Sequence, residues 1–295
     1  MIKKTFTGLA FSTVLATAAT VTQAADLVVG GKGYTEQLLM ASMTAQLLES
    51  KGFEVDKRDG MGSSVLHKAQ LNGQIDLYWE YTGTSLRSFH KIKDRMSAEQ
   101  AYNTVKKLDG EQGLVWLNPS RANNTYALAV RASDERTKAV SSLTELAALI
   151  NSGTRMSFAT SIEFPVRPDG LKPFQKEYGV KFKRSEIRKM DPGLAYNALR
   201  VKEVDIALVF ATDGRIGAFD FKVLDDDKGF FPDYSIVPVV RKDTLDKHPK
   251  LADILNDLSG RLDNATMTRL NGQVDVEKQS IETVAKGFLS EQGLL

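Results

Sequence analysis

Two consecutive units of short apolar run, glycine-containing loop and helical stretch stand near the start of this 295-residue chain, and no other feature restricts its fold as much. Leu27-Val28-Val29-Gly30-Gly31 reads as a buried strand that runs through Lys32-Gly33-Tyr34 into a helix from Thr35 to Lys51, with Leu38, Leu39, Met43, Leu47 and Leu48 as its apolar face. A second strand, Phe53 to Val55, leads through Gly60-Met61-Gly62-Ser63-Ser64 into a helix from Ser64 to Leu71. Repetition of this kind is the mark of an α/β fold with a parallel sheet whose loops gather at the strands' C-terminal ends. After Gly73 comes a third strand end, Asp76 to Thr84, which sets Tyr78, Trp79 and Tyr81 beside Asp76 and Glu80 and then turns at Gly83 between Thr82 and Thr84. Side chains at a strand-to-turn boundary commonly face a crevice. The same residues would equally serve an amphipathic strand whose aromatics fill a core. Loops around Lys32, Ser63 and Tyr81 are thereby placed to converge.

Further along, a helix from Ala98 to Leu108 and a strand from Leu114 to Leu117 precede a new series: strand Tyr126 to Arg131, helix Leu143 to Ile150, strand Met156 to Ala159, helix Gly170 to Tyr178, helix Gly193 to Val201 and strand Ile206 to Phe210. This series predicts a second α/β lobe. The run Ser235 to Asp243 echoes Tyr126 to Asp134, apolar residues followed by basic and then acidic ones. Such a pair, one entering and one leaving the middle of the chain, predicts two hinge crossovers. Lobe I is then residues 25–124 plus 235–295 and lobe II residues 125–234, with helices Leu251 to Leu262 and Ile281 to Leu289 packing back on lobe I. Two lobes so joined form a cleft that closes on a ligand.

Composition narrows the function. Lys3 and Lys4, the apolar and small residues from Phe6 to Val21, and Thr22-Gln23-Ala24 read as a cleaved signal peptide over residues 1–24, so the mature chain is expected to begin near Ala25. The run is too short and too rich in Thr, Ser and Gly for a membrane span. With 39 basic and 37 acidic residues the net charge is +2, and loss of the two leader lysines brings it to about zero, so no nucleic-acid partner is indicated. Zero cysteine excludes a disulfide framework, a thiol nucleophile and a lipid-modified cysteine at the cleavage point. The expected compartment is the periplasm, free of a lipid anchor, with secretion from the cell as the lesser alternative.

Five motifs in order now carry a resemblance. Lys32 to Gln37 (Lys-Gly-Tyr-Thr-Glu-Gln), Asp76 to Thr84, Asn123 to Val130, Glu163 to Gly170 and Thr212 to Ile216 resemble the substrate-binding proteins of ABC transporters for glycine betaine, carnitine and choline. The likeness spans essentially the whole mature chain. It implies a two-lobed periplasmic binding protein fold, with an aromatic box for the quaternary ammonium at Tyr81, Tyr126, Phe210 and Tyr234, and carboxylate or polar contacts from Lys32, Thr84 and Arg167. Phe210 departs from the pattern, standing where a tyrosine usually precedes the Thr-Asp-Gly turn. The implied partners are a small quaternary amine and an importer's permease with its ATPase; a monomer without cofactor is expected. The physics agrees, since a quaternary ammonium has no N–H to donate and is held by aromatic faces at about 0.5–2 kcal/mol each.

Other chemistry finds little support. His67, His90 and His248 are scattered and lack metal-ligand spacing. Ser63, Ser64 and Thr84 have no base marked beside them, and the carboxylates of Asp76 and Glu80 are expected to cap loops or position backbone rather than move protons. Asp225-Asp226-Asp227 lacks the ligand alternation of a calcium loop and reads as a solvated turn. Trp116 reads as core, while Tyr34, Tyr196 and Trp79 suit either core or cleft wall and stand outside the expected site. Binding of an amino acid or a simple anion by the same two-lobed design is the rival class, less favoured by the aromatic cluster.

Overall fold

The computed structural model describes residues 1–2 and 25–295, so the signal-peptide reading, which rests on residues 3–24, lies outside the described residues. Among the described residues ten strands form two five-stranded sheets. The first has the order β2-β1-β3-β10-β4, from β1 (Leu27–Lys32), β2 (Val55–Met61), β3 (Leu77–Tyr81), β4 (Leu114–Trp116) and β10 (Ile236–Arg241). The second has the order β7-β6-β8-β5-β9, from β5 (Tyr126–Arg131), β6 (Phe158–Thr160), β7 (Ile187–Lys189), β8 (Ile206–Phe210) and β9 (Phe221–Val223).

Each sheet is parallel on one side and antiparallel on the other: β1 pairs in parallel with β2 and β3, whereas β10 runs antiparallel to β3 and β4. The repeated strand, loop and helix units foretell only the parallel half. The antiparallel strands β5 and β10 are the two that follow the crossovers between sheets. There Asn123 and Ser235 form an antiparallel bridge, reinforced by Asn124 N donating to Tyr234 O at 3.2 Å and Tyr234 N donating to Asn123 Oδ1 at 2.9 Å.

β3 is buried along its whole length because β1 and β10 flank it and helices cover both faces. Trp79 and Tyr81 face the helix Thr35–Ser50, which also packs against the C-terminal helices Asn264–Asp275 and Ile281–Glu291 through Met40, Met43, Met267, Leu270 and Phe288. A helix enclosed in this way needs apolar residues nearly all round, which explains why its hydrophobicity is not confined to one stripe. Tyr78 faces the opposite side, toward Leu66 and Ile75. Trp116 is core, as expected, packed with Leu86, Val105 and Val237. Among the described residues no helix is long and apolar enough to cross a membrane.

Candidate functional site

The parallel strands of both sheets end at one crevice, the place where loops of α/β sheets bind ligands. β1 delivers Lys32 there, and the loop into the Thr35–Ser50 helix brings Tyr34. Beyond β3 comes Thr84, beyond β6 Arg167, and at the end of β8 Phe210. β5 runs the other way, so its first residue, Tyr126, arrives at the same rim, registered opposite Phe210. Together these line a cavity of about 430 Å³.

Its rings form a connected wall. Phe210 lies parallel to Tyr34 at a 5.9 Å centroid separation and tilted to Tyr126 at 5.1 Å. Tyr126 meets Tyr234 edge-on at 5.3 Å. Tyr81 and Tyr234 do not line the cavity; both are buried behind it. Tyr81 stacks on Tyr34 at 6.4 Å, its ring holds Lys32 Nζ 4.8 Å from the centroid, and its hydroxyl donates to Glu36 Oε1 at 2.7 Å. Tyr234 donates its hydroxyl to Asp169 and accepts from Arg167 Nη2 at 3.0 Å. Its ring lies so close to Gly83 that a Cβ there would fall 2.8 Å from ring carbons, which explains the glycine in that turn.

Both cations are partnered inside the protein. Lys32 Nζ donates to Glu80 Oε1, and Glu80 also accepts from Tyr81 N at 2.7 Å and Tyr78 Oη at 2.9 Å. Burial pushes the Lys32 ammonium down from its usual pKa, and Glu80 opposes that fall. Arg167 forks onto Asp169 through Nε and Nη2, both at 2.8 Å, leaving Nη1 without a partner among the described residues. Burial also works against the Arg167 charge, yet Tyr126, Tyr234 and Asp169 around it hold its pKa above the usual range. Glu163 and Asp191 add two carboxylates to the cavity wall.

Of the remaining candidates Ser63 lines the cavity, while the acidic and histidine side chains engage partners within the fold. Asp76 accepts from Val28 N at 2.8 Å and Thr244 Oγ1 at 2.9 Å, tying β1 to the residue before β3. His90 pairs with Asp109 at 2.6 Å, His67 stacks on Phe89 at 4.0 Å, and His248 lies edge-on to Phe53. Among the described residues no group of three His, Cys, Asp or Glu side chains is placed to hold a metal ion. Asp226 accepts from the backbone N of Phe230 and Phe231 and from Tyr178, so the acidic turn organises its own loop. Sequence reasoning left Tyr34 outside the site. Its signal was its position directly after the glycine loop and before the first helical turn, where a side chain overlooks the strand ends.

Two α/β lobes joined by paired crossovers, with a ring-lined cavity between them that holds two internally balanced cations, define a substrate-binding protein of the bilobed type. The chain belongs to the OpuAC family, described as the substrate binding domain of the ABC-type glycine betaine transport system, whose model matches residues 25–291. It is 44% identical to a glycine-betaine-binding protein of Pseudomonas aeruginosa, over 94% of this chain and 91% of that one. It is 34% identical over 91% of its length to the ergothioneine transport permease/ergothioneine binding protein EgtU of Helicobacter pylori, covering 48% of that longer protein. Among solved structures, that of a glycine betaine/carnitine/choline ABC transporter protein superposes with a TM-score of 0.72 at 29% identity, covering 91% of this chain and 99% of that one. The protein is thus a binding component of an ABC importer that serves a small-molecule ligand with a permease and ATPase, and not an enzyme.

Proposed function

We propose that the protein captures a small quaternary ammonium zwitterion of the glycine betaine type between its lobes, with Tyr34, Tyr126 and Phe210 as the aromatic wall, Tyr81 and Tyr234 backing it, and Lys32, Thr84 and Arg167 receiving the carboxylate. The observation that carries this reading is the convergence of three rings and two neutralised cations on one 430 Å³ cavity. Lys32 with Glu80 and Arg167 with Asp169 are each neutral as pairs, so neither buried cation presents an excess charge that a molecule bearing both charges would have to offset. Each cation keeps N–H groups for the ligand: Arg167 through Nη1, Lys32 through its remaining hydrogens. Tyr81 and Tyr234 act from behind, the first carrying Lys32 on its face and the second steadying Arg167 through Asp169. The names borne by the Pseudomonas relative and the superposed structure support the ligand class. In this reading the hinge lies at 124/125 and 234/235. The mature chain begins near Ala25 in the periplasm, carries no lipid and acts as a monomer.

Calorimetric titration with glycine betaine, choline, carnitine and ergothioneine, on wild type and Arg167→Ala, tests the assignment. Removing a desolvated charge partner weakens glycine betaine roughly thirtyfold to a few thousandfold. Choline, which has no carboxylate, loses much less. The ligand-free melting temperature of the variant is measured alongside, because Asp169 and Tyr234 lose their partner too. Parallel losses for the two ligands would mean that Arg167 supports the lobe rather than reads the carboxylate. Selective binding of ergothioneine over all the others would move the ligand to a larger betaine.

A further inference from the structure

Behind the ring wall the two lobes touch a second time, through residues that do not themselves line the cavity. The turn Thr212-Asp213-Gly214-Arg215, which follows β8, lies against Glu36 in the first turn of the Thr35–Ser50 helix and against the helix Asn264–Asp275. We propose that this seam is the closure element of the protein, and that Glu36 and Gly214 act as positioning residues that set the population of the closed form. The proposal rests on the two-lobed binding reading but not on which ligand is bound.

Glu36 is 3% exposed and gathers donors from every part that must move together. Oε1 accepts from Tyr81 Oη at 2.7 Å and from Asn124 Nδ2, at the crossover, at 2.6 Å. Oε2 accepts from Asn271 Nδ2 at 3.1 Å and, across the cleft, from the hydroxyl of Thr212. Thr212 stands two residues after Phe210, so seam and ring wall share one strand end. Asn271 Nδ2 also donates to Thr212 O at 2.9 Å, and Arg215, clasped by Asp213 within its own turn, reaches Asp275 of the facing helix at 3.2 Å.

Gly214 makes the contact possible. A Cβ there would lie 2.6 Å from Gly272 Cα and 2.9 Å from Thr268 O, backbone atoms that cannot swing aside. Its φ of −65° is open to any residue, so the neighbour across the cleft, not the conformation, demands glycine. At Gly272 the converse holds, since a Cβ would sit at an ordinary 3.8 Å from Gly214 Cα. The seam is not a permanent lock. Among the described residues Asn124 Oδ1 and Asn271 Oδ1 are buried without a donor, a cost that water relieves when the lobes part. Closure is therefore poised, and a ligand tips it.

A group that acts only on the closed population scales every ligand's apparent dissociation constant by one factor. The test titrates wild type, Glu36→Gln, Gly214→Ala and the control Gly272→Ala with glycine betaine and with choline. It also follows single-molecule energy transfer between dyes on Val65→Cys and Val201→Cys, one exposed position in each lobe of a cysteine-free chain. Glu36→Gln turns an amide N–H₂ toward donors and weakens both ligands by the same factor, about tenfold to a hundredfold. Gly214→Ala does likewise and lowers the closed fraction, whereas Gly272→Ala leaves both nearly unchanged. The proposal is overturned if the betaine-to-choline ratio shifts as much as either affinity, or if Gly214→Ala closes and binds like wild type. Should the wild type bind neither ligand, the quaternary amine reading fails alone. The ligand-free closed fraction still decides the seam: lower in Gly214→Ala than in Gly272→Ala upholds it, and equal fractions overturn it.

Discussion

Tyr126 occupies the most connected place in the ring wall, with Phe210, Phe164, Phe231 and Tyr234 around it and the Arg167 guanidinium carbon 5.5 Å from its centroid. Burial raises the pKa of its hydroxyl, so the ring stays neutral. If its face holds the cation, Tyr126→Phe retains most of the affinity, whereas Tyr126→Ala loses about 1–3 kcal/mol in calorimetric titration with glycine betaine. Equal losses would make the hydroxyl the recognised group. Tyr34→Ala is expected to fall in the same range, since that ring borders the cavity directly, and Phe210→Tyr is expected to be tolerated. At this scale the resemblance named residues that the structure places at or just behind the cavity, but it did not separate the two layers. Whether Tyr81 lines the space or stands behind Tyr34 depends on Lys32 and Glu36 competing for its face and hydroxyl, and neither contact is written in the local motif.

Elements were legible where their burial was one-sided or complete and obscure where it was marginal. β5 and β8 were read at their observed bounds because their apolar runs are uninterrupted. β2 was read as Phe53 to Val55 but runs Val55–Met61 through Asp56, Lys57, Arg58 and Asp59. As the edge of its sheet it exposes one side, and charges there also guard against edge-to-edge pairing. The helix Asn264–Asp275 was missed altogether. It buries only Met267, Leu270 and Asn271 and carries Gly272 near its end, so its apolar period is faint. Its contribution to the seam, Asn271, Gly272 and Asp275, was hidden with it. A different element junction supplies a stability prediction. After β5, Asp134 accepts from Arg131 at 2.9 Å and Arg136 at 2.7 Å, and Arg136 also reaches Asp205 just before β8. The Arg136 hydrogen bonds, against the cost of burial, hold the Asp134 carboxyl down to about 2. A depressed carboxylate stabilises the fold above its unfolded value near 3.9 and loses that contribution as pH falls through its folded value. With Arg136 43% exposed, solvent screening trims the effect to about 1–2 kcal/mol. In urea melts Asp134→Asn should be less stable than wild type by that amount near pH 7, and the gap should shrink between about pH 4 and pH 2. A gap constant across that window would mean that shape, not charge, is what Asp134 supplies.

For the whole molecule, the charge balance of the cleft has a consequence that separates zwitterions from cations. Lys32 and Glu80 are 3% and 1% exposed, Arg167 and Asp169 each 6%, so salt in bulk water hardly reaches either pair. Screening acts on charges that face solvent within a Debye length of about 10 Å at 0.1 M and about 3 Å at 1 M. In the proposed mode glycine betaine brings no net charge to cations that are already neutralised, and it would trade water for ring faces and fixed N–H groups on both lobes. Its dissociation constant should therefore change by less than about twofold between about 0.05 M and 0.5 M potassium chloride. Choline brings a net positive charge toward a rim that carries Glu163 and Asp191, and its affinity should weaken measurably over the same range. The measurement is a pair of titration series on wild type across ionic strength, with the chain's small net charge, +2, keeping long-range steering a minor cause. If glycine betaine weakened with salt as steeply as choline, the internal ion pairs would not be balancing the ligand's two ends, and the carboxylate would have to lie outside the reach of Lys32 and Arg167. Salt independence for betaine together with salt dependence for choline is the signature expected of a cleft that binds a dipole rather than a charge.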